Sequence, residues 1–116
     1  MLLWIQNFNI KENRMLEFQK FIRENEKTLA KHAPKGWKYM GTYFYALMLG
    51  PYTGASIWEC SIYADFDIWR NHDDPTWLKM VKQIMDFWTP EPAPAMIMRE
   101  VGDSKVIEPE KKPDKP

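Results

Sequence analysis

Two histidines, His32 and His72, are the only imidazoles in this 116-residue chain, and the second has the neighbours that acid–base chemistry needs. His72 is followed by Asp73 and Asp74 and stands between Trp69 and Trp77. With its ring oriented by an acidic neighbour, His72 can act as a general base or donate a hydrogen bond to a substrate. The bland alternative is a partly exposed histidine at the break of a helix. Glu59 stands among Trp58, Cys60 and Ile62, so it is either on a solvated patch or a polar group set into a cavity. Tyr39, Tyr43 and Tyr45 alternate, which in a strand puts them on one face, and Gly41 between them leaves room for a ligand or another backbone. Such an aromatic wall suits a pocket, a core or an interface. Arg70 can clamp a carboxylate or simply extend into solvent.

Other chemistries lack their residues. His32 falls near the end of a helical stretch, where the helix dipole favours a cation, and nothing beside it suggests catalysis. The two histidines are far apart and no spaced carboxylate set joins them, so no metal site is expected. No Gly-rich phosphate loop and no Ser/His/Asp arrangement is visible. Cys60 is the single cysteine, which excludes an internal disulfide and reads as a small buried hydrophobe. Sixteen Lys plus Arg balance sixteen Asp plus Glu, so the positive field that phosphate neutralisation requires is missing and nucleic acid is not expected as a partner. No apolar run approaches the ~20 residues needed to span a bilayer, and Met-Leu-Leu-Trp-Ile lacks the basic start of a signal peptide. These features lead us to expect a cytoplasmic protein without a membrane partner.

The elements that must position these residues follow from periodicity. Residues 2–10 are short, apolar and aromatic, as a strand is. From Glu12 or Asn13 the period changes: Met15, Phe18, Ile22, Leu29 and Ala33 fall on one side of a helix, which Pro34 and Gly36 end. Trp37 to Leu49 and Ser56 to Ala64 read as two strands joined as a hairpin through Gly-Pro-Tyr-Thr-Gly. Asp65 or Asp67 can cap a second helical region in which Trp77, Val81, Ile84 and Trp88 recur at helical spacing, with Pro75 interrupting or restarting it. Ala95 to Val101 reads as a last, edge-type strand. The order βαββαβ predicts an α+β, ferredoxin-like fold with an antiparallel four-stranded sheet over residues 1–103. A charged, Pro-rich tail over 104–116 has too little to bury and is expected to stay disordered.

Alternation along the first strand sends Trp4 and Phe8 to one face and Leu3 and Ile5 to the other, and the third strand splits Trp58, Cys60 and Ile62 from Ile57 and Tyr63. Neither face is wet. Two helices cover one face, so a second copy of the chain is the simplest cover for the other, with Trp4 and Trp58 counted among the surplus apolar surface.

With that order in hand, the chain resembles the dimeric α/β-barrel superfamily over roughly residues 2–103. Gly36-Trp37-Lys38-Tyr39-Met40-Gly41-Thr42-Tyr43 looks like the lead-in to the second strand of NIPSNAP-like proteins. Asp67-Ile68-Trp69-Arg70-Asn71-His72-Asp73-Asp74-Pro75-Thr76-Trp77 is similar to the start of their second helical region. The resemblance implies two sheets packed face to face in a homodimer or larger assembly. It also implies activities that range from cofactor-independent, antibiotic-biosynthesis-monooxygenase-like chemistry and isomerisation to ligand sensing. Asn7 on the first strand and Trp69 resemble the haem-degrading branch, but Lys79 stands where that branch has its haem-ligating histidine, so no cofactor is expected. The combined expectation is a pocket for a neutral or weakly anionic small organic molecule. Tyr39, Tyr43, Trp69 and Glu59 wall it, His72 sits at its mouth, Glu59 and His72 are the catalytic candidates, and Arg70 and Asn7 are further binding residues. The rival is a non-catalytic metabolite-binding or protein-interaction module.

Overall fold

A computed structural model describes residues 1–46, 50–91 and 93–102. Its elements run β1 (Leu2–Phe8), α1 (Met15–Lys31), β2 (Lys38–Phe44), β3 (Gly54–Cys60), α2 (Asp65–Arg70), α3 (Pro75–Asp86) and β4 (Ala95–Arg99). The strands form one sheet in the order β2-β3-β1-β4 with every neighbouring pair antiparallel, the ferredoxin-like arrangement read from the sequence. The expected tail over 104–116 lies outside the described residues, as does the end of the longer second strand anticipated to residue 49.

The second helical region divides because of its cap. Asp74 Oδ1 accepts the Trp77 backbone N–H at 3.0 Å, and Pro75 takes the first helical position, where a missing N–H leaves no bond unmade. Asp65 has a different task from the capping role expected of it. Its buried carboxylate accepts the backbone N–H groups of Ser61 and Ile62 at 3.0 and 3.1 Å, closing the turn between β3 and α2. The Trp37 indole then donates to the Asp65 carbonyl at 2.7 Å, fastening the start of β2 to the same turn.

On the helix side, α1 lays Phe18, Ile22 and Leu29 onto the sheet and α3 adds Trp77. The inward residues Leu2, Trp58 and Cys60 join Leu29, Trp37 and Trp77 in one core cluster, while Phe8, Ile10, Phe18, Ile22 and Phe87 form a second. Burying each large side chain contributes about 1.5–3 kcal/mol, so this layer holds the fold. The Cys60 thiol is part of it, and burial pushes its pKa up. Among the described residues no helix is long and apolar enough to cross a membrane.

The far face of the sheet carries Leu3 and Ile5 from β1, Ile57 from β3, and Met96 and Met98 from β4, placed together by the strand register. No helix among the described elements lies over it. Trp4 and Trp58, expected to add to the uncovered surface, are instead paired opposite each other beneath the helices. The apolar surplus is aliphatic and Met-rich rather than indole.

One further expectation changes at β2. Tyr39 stands opposite Trp58 and Gly41 opposite Ile57, so Met40 is an extra residue and the strand is bulged. A one-residue insertion reverses the facing of everything after it. Tyr39 therefore points to the helices, whereas Tyr43, opposite Ala55, lies on the far face. Gly41 makes the bulge tolerable: its φ is 125°, and a Cβ there would lie 2.8 Å from the Tyr43 ring, which folds back to donate its hydroxyl to the Met40 carbonyl at 2.9 Å.

Candidate functional site

Between the sheet and its helices lies a cavity of about 210 Å³. Its floor is Trp4, Gln6 and Phe8 of β1, Thr42 of β2, and Ser56 and Trp58 of β3. Its roof is Phe18, Ile22 and Leu29 of α1, Trp69 of α2, and Trp77, Val81, Ile84 and Met85 of α3, with Trp88 just beyond that helix. The void exists because α2 ends at Arg70 and α3 starts only at Pro75, so no single helix closes over the strands. Trp69 is the hub of its aromatic wall. Ring centroids of Trp4, Trp37, Trp58 and Trp77 lie 4.7 to 4.9 Å from it, all meeting it edge-on, a geometry that aligns the indole quadrupoles favourably.

The polar groups of the lining are few and neutral. Ser56 Oγ accepts the Trp58 indole N–H at 2.8 Å, which leaves its own proton to donate. Gln6 spends its amide N–H bonds on the carbonyls of Asn7 and Ala93, at 3.0 and 3.2 Å. Thr42 Oγ1 lies 2.6 Å from the Tyr39 hydroxyl, which reaches Glu26 at 3.3 Å. Since the phenol's one proton goes to the carboxylate, Thr42 donates to the phenol oxygen and offers the cavity only lone pairs. Burial, more than any other cause, pushes Tyr39 up to about 12. Tyr39 is thus a proton donor and not a base at neutral pH. Outside this wall, Gln19, Arg23 and Glu26 line a shallow depression between α1 and β2 that shares Ile22 and Thr42 with the cavity.

The residues singled out from the sequence do not converge on one void. Trp69 lines the cavity, and Tyr39 stands one hydrogen bond behind Thr42. His72 packs its ring 5.7 Å from Trp77, a wall residue, and its Nε2 lies 2.7 Å from the His32 carbonyl oxygen. Tyr43 and Glu59 belong to the far face, with Glu59 opposite Lys38 and Leu3. Asn7, also turned to that face, is buried, with its Oδ1 accepting from the Tyr45 hydroxyl at 2.6 Å and its Nδ2 donating to the Pro94 carbonyl at 3.1 Å. Arg70 is exposed and pairs with Asp67 at 3.4 Å. His32, set aside on the sequence, has a partner: its Nδ1 lies 2.9 Å from Asp74 Oδ2, tying the end of α1 to the cap of α3 and holding the Asp74 carboxyl below its usual range. Among the described residues no three His, Cys, Asp or Glu side chains cluster as a metal site would require.

Sequence reasoning missed Gln6, Thr42, Ser56 and Trp88. A signal existed for two of them. Gln6 interrupts the inward series Leu2, Trp4, Phe8, and Ser56 interrupts Trp58 and Cys60, and a polar residue in an inward register marks a place the core does not fill.

The architecture defines a ferredoxin-like α+β domain with its cavity between sheet and helices. Solved structures share that fold. A NIPSNAP family protein of unknown function from Agrobacterium tumefaciens is 24% identical, with 84% of this chain and 86% of that one covered and a TM-score of 0.64. A dabb family protein with a ferredoxin-like fold from Mesorhizobium loti is 16% identical over 87% of this chain and 97% of that one, at a TM-score of 0.63. A proposed antibiotic biosynthesis monooxygenase from Nitrosomonas europaea is 15% identical over 87% of this chain and 99% of that one, at a TM-score of 0.62. No protein-family model matches the chain, and no curated protein sequence does. The shared property is the fold.

Proposed function

We propose that each chain binds a small, neutral, largely apolar organic molecule in the aromatic cavity, and that two chains pair through the far faces of their sheets. The cavity carries the reading. Five of the six Trp stand in its lining, which contains no charged side chain among the described residues, so an ionised ligand would lose its hydration with no counter-charge there to replace it. This narrows the expected ligand from neutral or weakly anionic to neutral. Pairing is supported by the far face: Leu3, Ile5, Ile57, Met96 and Met98 form an apolar patch there beside Lys38, Glu59 and Tyr43, whereas an antiparallel sheet facing water normally carries polar residues throughout. The lone buried Cys60 suits a cytoplasmic location.

Binding without catalysis is favoured over turnover by one observation: among the described residues no His, Asp, Glu or Tyr belongs to the cavity's lining. Metal-free oxygenase-like or isomerase-like chemistry, suggested by the likeness to the Nitrosomonas protein, would need His72 to leave the His32 carbonyl and reach past Trp77. Glu59 would act only from the paired far face.

Tryptophan fluorescence titrated with naphthalene and with the naphthoate anion tests the binding. Quenching by the neutral compound, lost when Val81→Trp fills the cavity, is the expected result. Equal affinity for the anion would overturn the neutral-ligand reading, and no response to either would overturn the cavity reading. Light scattering tests the pairing, and a stable monomer at micromolar concentration would end it.

A further inference from the structure

We propose that Ser56, flanked by Gln6 and Thr42, reads a hydroxyl group on the bound molecule, which makes the ligand an apolar alcohol rather than a hydrocarbon or a ketone. This deepens the binding reading above and rests on the cavity being the binding site. The strand register sets the three residues in one row across the floor, with Gln6 of β1 and Thr42 of β2 each directly opposite Ser56 of β3. Among the described residues they are the only lining side chains that carry a hydroxyl or an amide. Opposite residues of antiparallel strands have Cβ atoms about 4.5–5.5 Å apart, so one oxygen above the row reaches Ser56 and a neighbour together.

Surface exposure places the row in the void. β3 is an interior strand, and Trp58 and Cys60, which face the same way as Ser56, are 4% and 2% exposed, yet Ser56 keeps part of its surface open. Beyond the main chain Ser56 is one carbon and a hydroxyl, so the hydroxyl is what it presents there. Gln6, on the interior strand β1, is part-open as well, against 3% and 1% for Leu2 and Phe8 on its own face.

The row alternates in what it offers. Ser56 Oγ accepts the Trp58 indole N–H at 2.8 Å, and no acceptor among the described residues takes its own proton. Gln6 directs its amide nitrogen to two carbonyls, of Asn7 and Ala93, which fixes the orientation of the amide and leaves only Oε1 to offer. Thr42 donates to the Tyr39 phenol oxygen, because that phenol's proton goes to Glu26, and is left with lone pairs. A donor thus stands between two acceptors. A hydroxyl accepts one hydrogen bond and donates another through a single neutral oxygen, as this row requires. A ketone or ether oxygen would take the Ser56 proton and meet the neighbours lone pair to lone pair.

The test titrates indane, indanol and indanone into the wild-type chain and into Ser56→Ala, with the fluorescence of the cavity's indoles reporting binding. A lining without hydrogen-bonding groups would bind indanol about tenfold or more weakly than indane, since the hydroxyl would leave water and gain no partner. We expect indanol to bind at least as tightly as indane and about fivefold more tightly than indanone. Ser56→Ala should lower the indanol-to-indane affinity ratio about fivefold, the effect of one neutral hydrogen bond. Indanol binding about tenfold more weakly than indane, indanone binding more tightly than indanol, or a ratio unchanged in Ser56→Ala each overturns the hydroxyl reading and leaves the cavity reading intact. If none of the three compounds binds the wild-type chain, both readings fall. Ser56→Ala also takes the acceptor from the Trp58 indole; where it does not fold, Ser56→Cys, which keeps a weak acceptor for the indole and a poor donor for the ligand, is read in the same way.

Discussion

The two faces of this sheet are built from the same strands and differ in what they ask of their residues. The helix-covered face gathers Trp4, Trp58, Leu2, Phe8 and Cys60 against α1 and α3 and closes a void in the process. The far face offers Leu3, Ile5, Ile57, Met96 and Met98, none of them aromatic. Large rigid rings suit a layer that must pack on helices and still leave a shaped gap, because their bulk cannot flow in to fill it. Unbranched and aliphatic side chains suit a surface that adapts to another surface. The comparison teaches that the indoles point to the cavity, whereas the far face, with Tyr43 as a ring of its own, is otherwise aliphatic and Met-rich where it is apolar.

The comparison breaks most visibly at Trp58. Trp58→Ala removes an indole wedged against Tyr39, Trp69 and Trp77 and is expected to cost about 3–5 kcal/mol, a fall in Tm of more than about 10 °C by calorimetry. A loss of under about 1 kcal/mol would mean that the covered face is not the one holding the fold. Its neighbour Ile57, one residue away and directly opposite Ile5, tests the other face. Ile57→Lys should leave the far-ultraviolet dichroism unchanged while converting the proposed dimer to monomer in light scattering. A dimer that survives this charge would place the interface elsewhere.

The element order and the grouping of β1 and β3 residues by face were legible because regular alternation and helical spacing need only local sequence, but which face the helices cover was not, since Trp4 and Trp58 were expected on the open one. The wall expected from Tyr39, Tyr43 and Tyr45 was not, since a bulge at Met40 carries no signal beyond the adjacent Gly41, and one inserted residue reverses every later side chain. The site was legible only in Trp69 and in the break at Pro75. Gln6 and Ser56 were visible as polar residues in inward registers, but Trp88 looked like one more core position of a helix. Its place in the cavity's lining is a property of tertiary packing. His32 likewise acquires Asp74 from 42 positions away, a pairing no local pattern encodes.

A smaller effect sharpens the boundary between the faces. Gly41→Ala puts a Cβ at a φ of 125° and against the Tyr43 ring, and although that exposed ring can swing aside, the backbone strain remains. We expect about 1–3 kcal/mol of destabilisation in urea unfolding. No change would indicate a strand without the bulge.

The last and smallest effect concerns Tyr39, the residue the bulge assigns to the covered face. Burial raises its pKa from 10.0 to about 12, so the unfolded chain releases this proton first as the solution is made alkaline. For a raised pKa the contribution to stability is fully present below the unfolded value and is lost as pH rises through the folded one, here between about pH 10 and pH 12. Stability measured by urea unfolding should therefore decline across that window in wild-type protein, and Tyr39→Phe should remove part of the decline while leaving the stability near neutral pH little changed. Tyr43→Phe, on the far face, serves as the control. If it flattens the alkaline decline as much as Tyr39→Phe does, the two tyrosines share an environment and the division of β2 between the faces fails. If only Tyr39→Phe does so, the phenol that backs Thr42 is sealed in the helix-covered layer, and the cavity wall it supports stays closed to hydroxide.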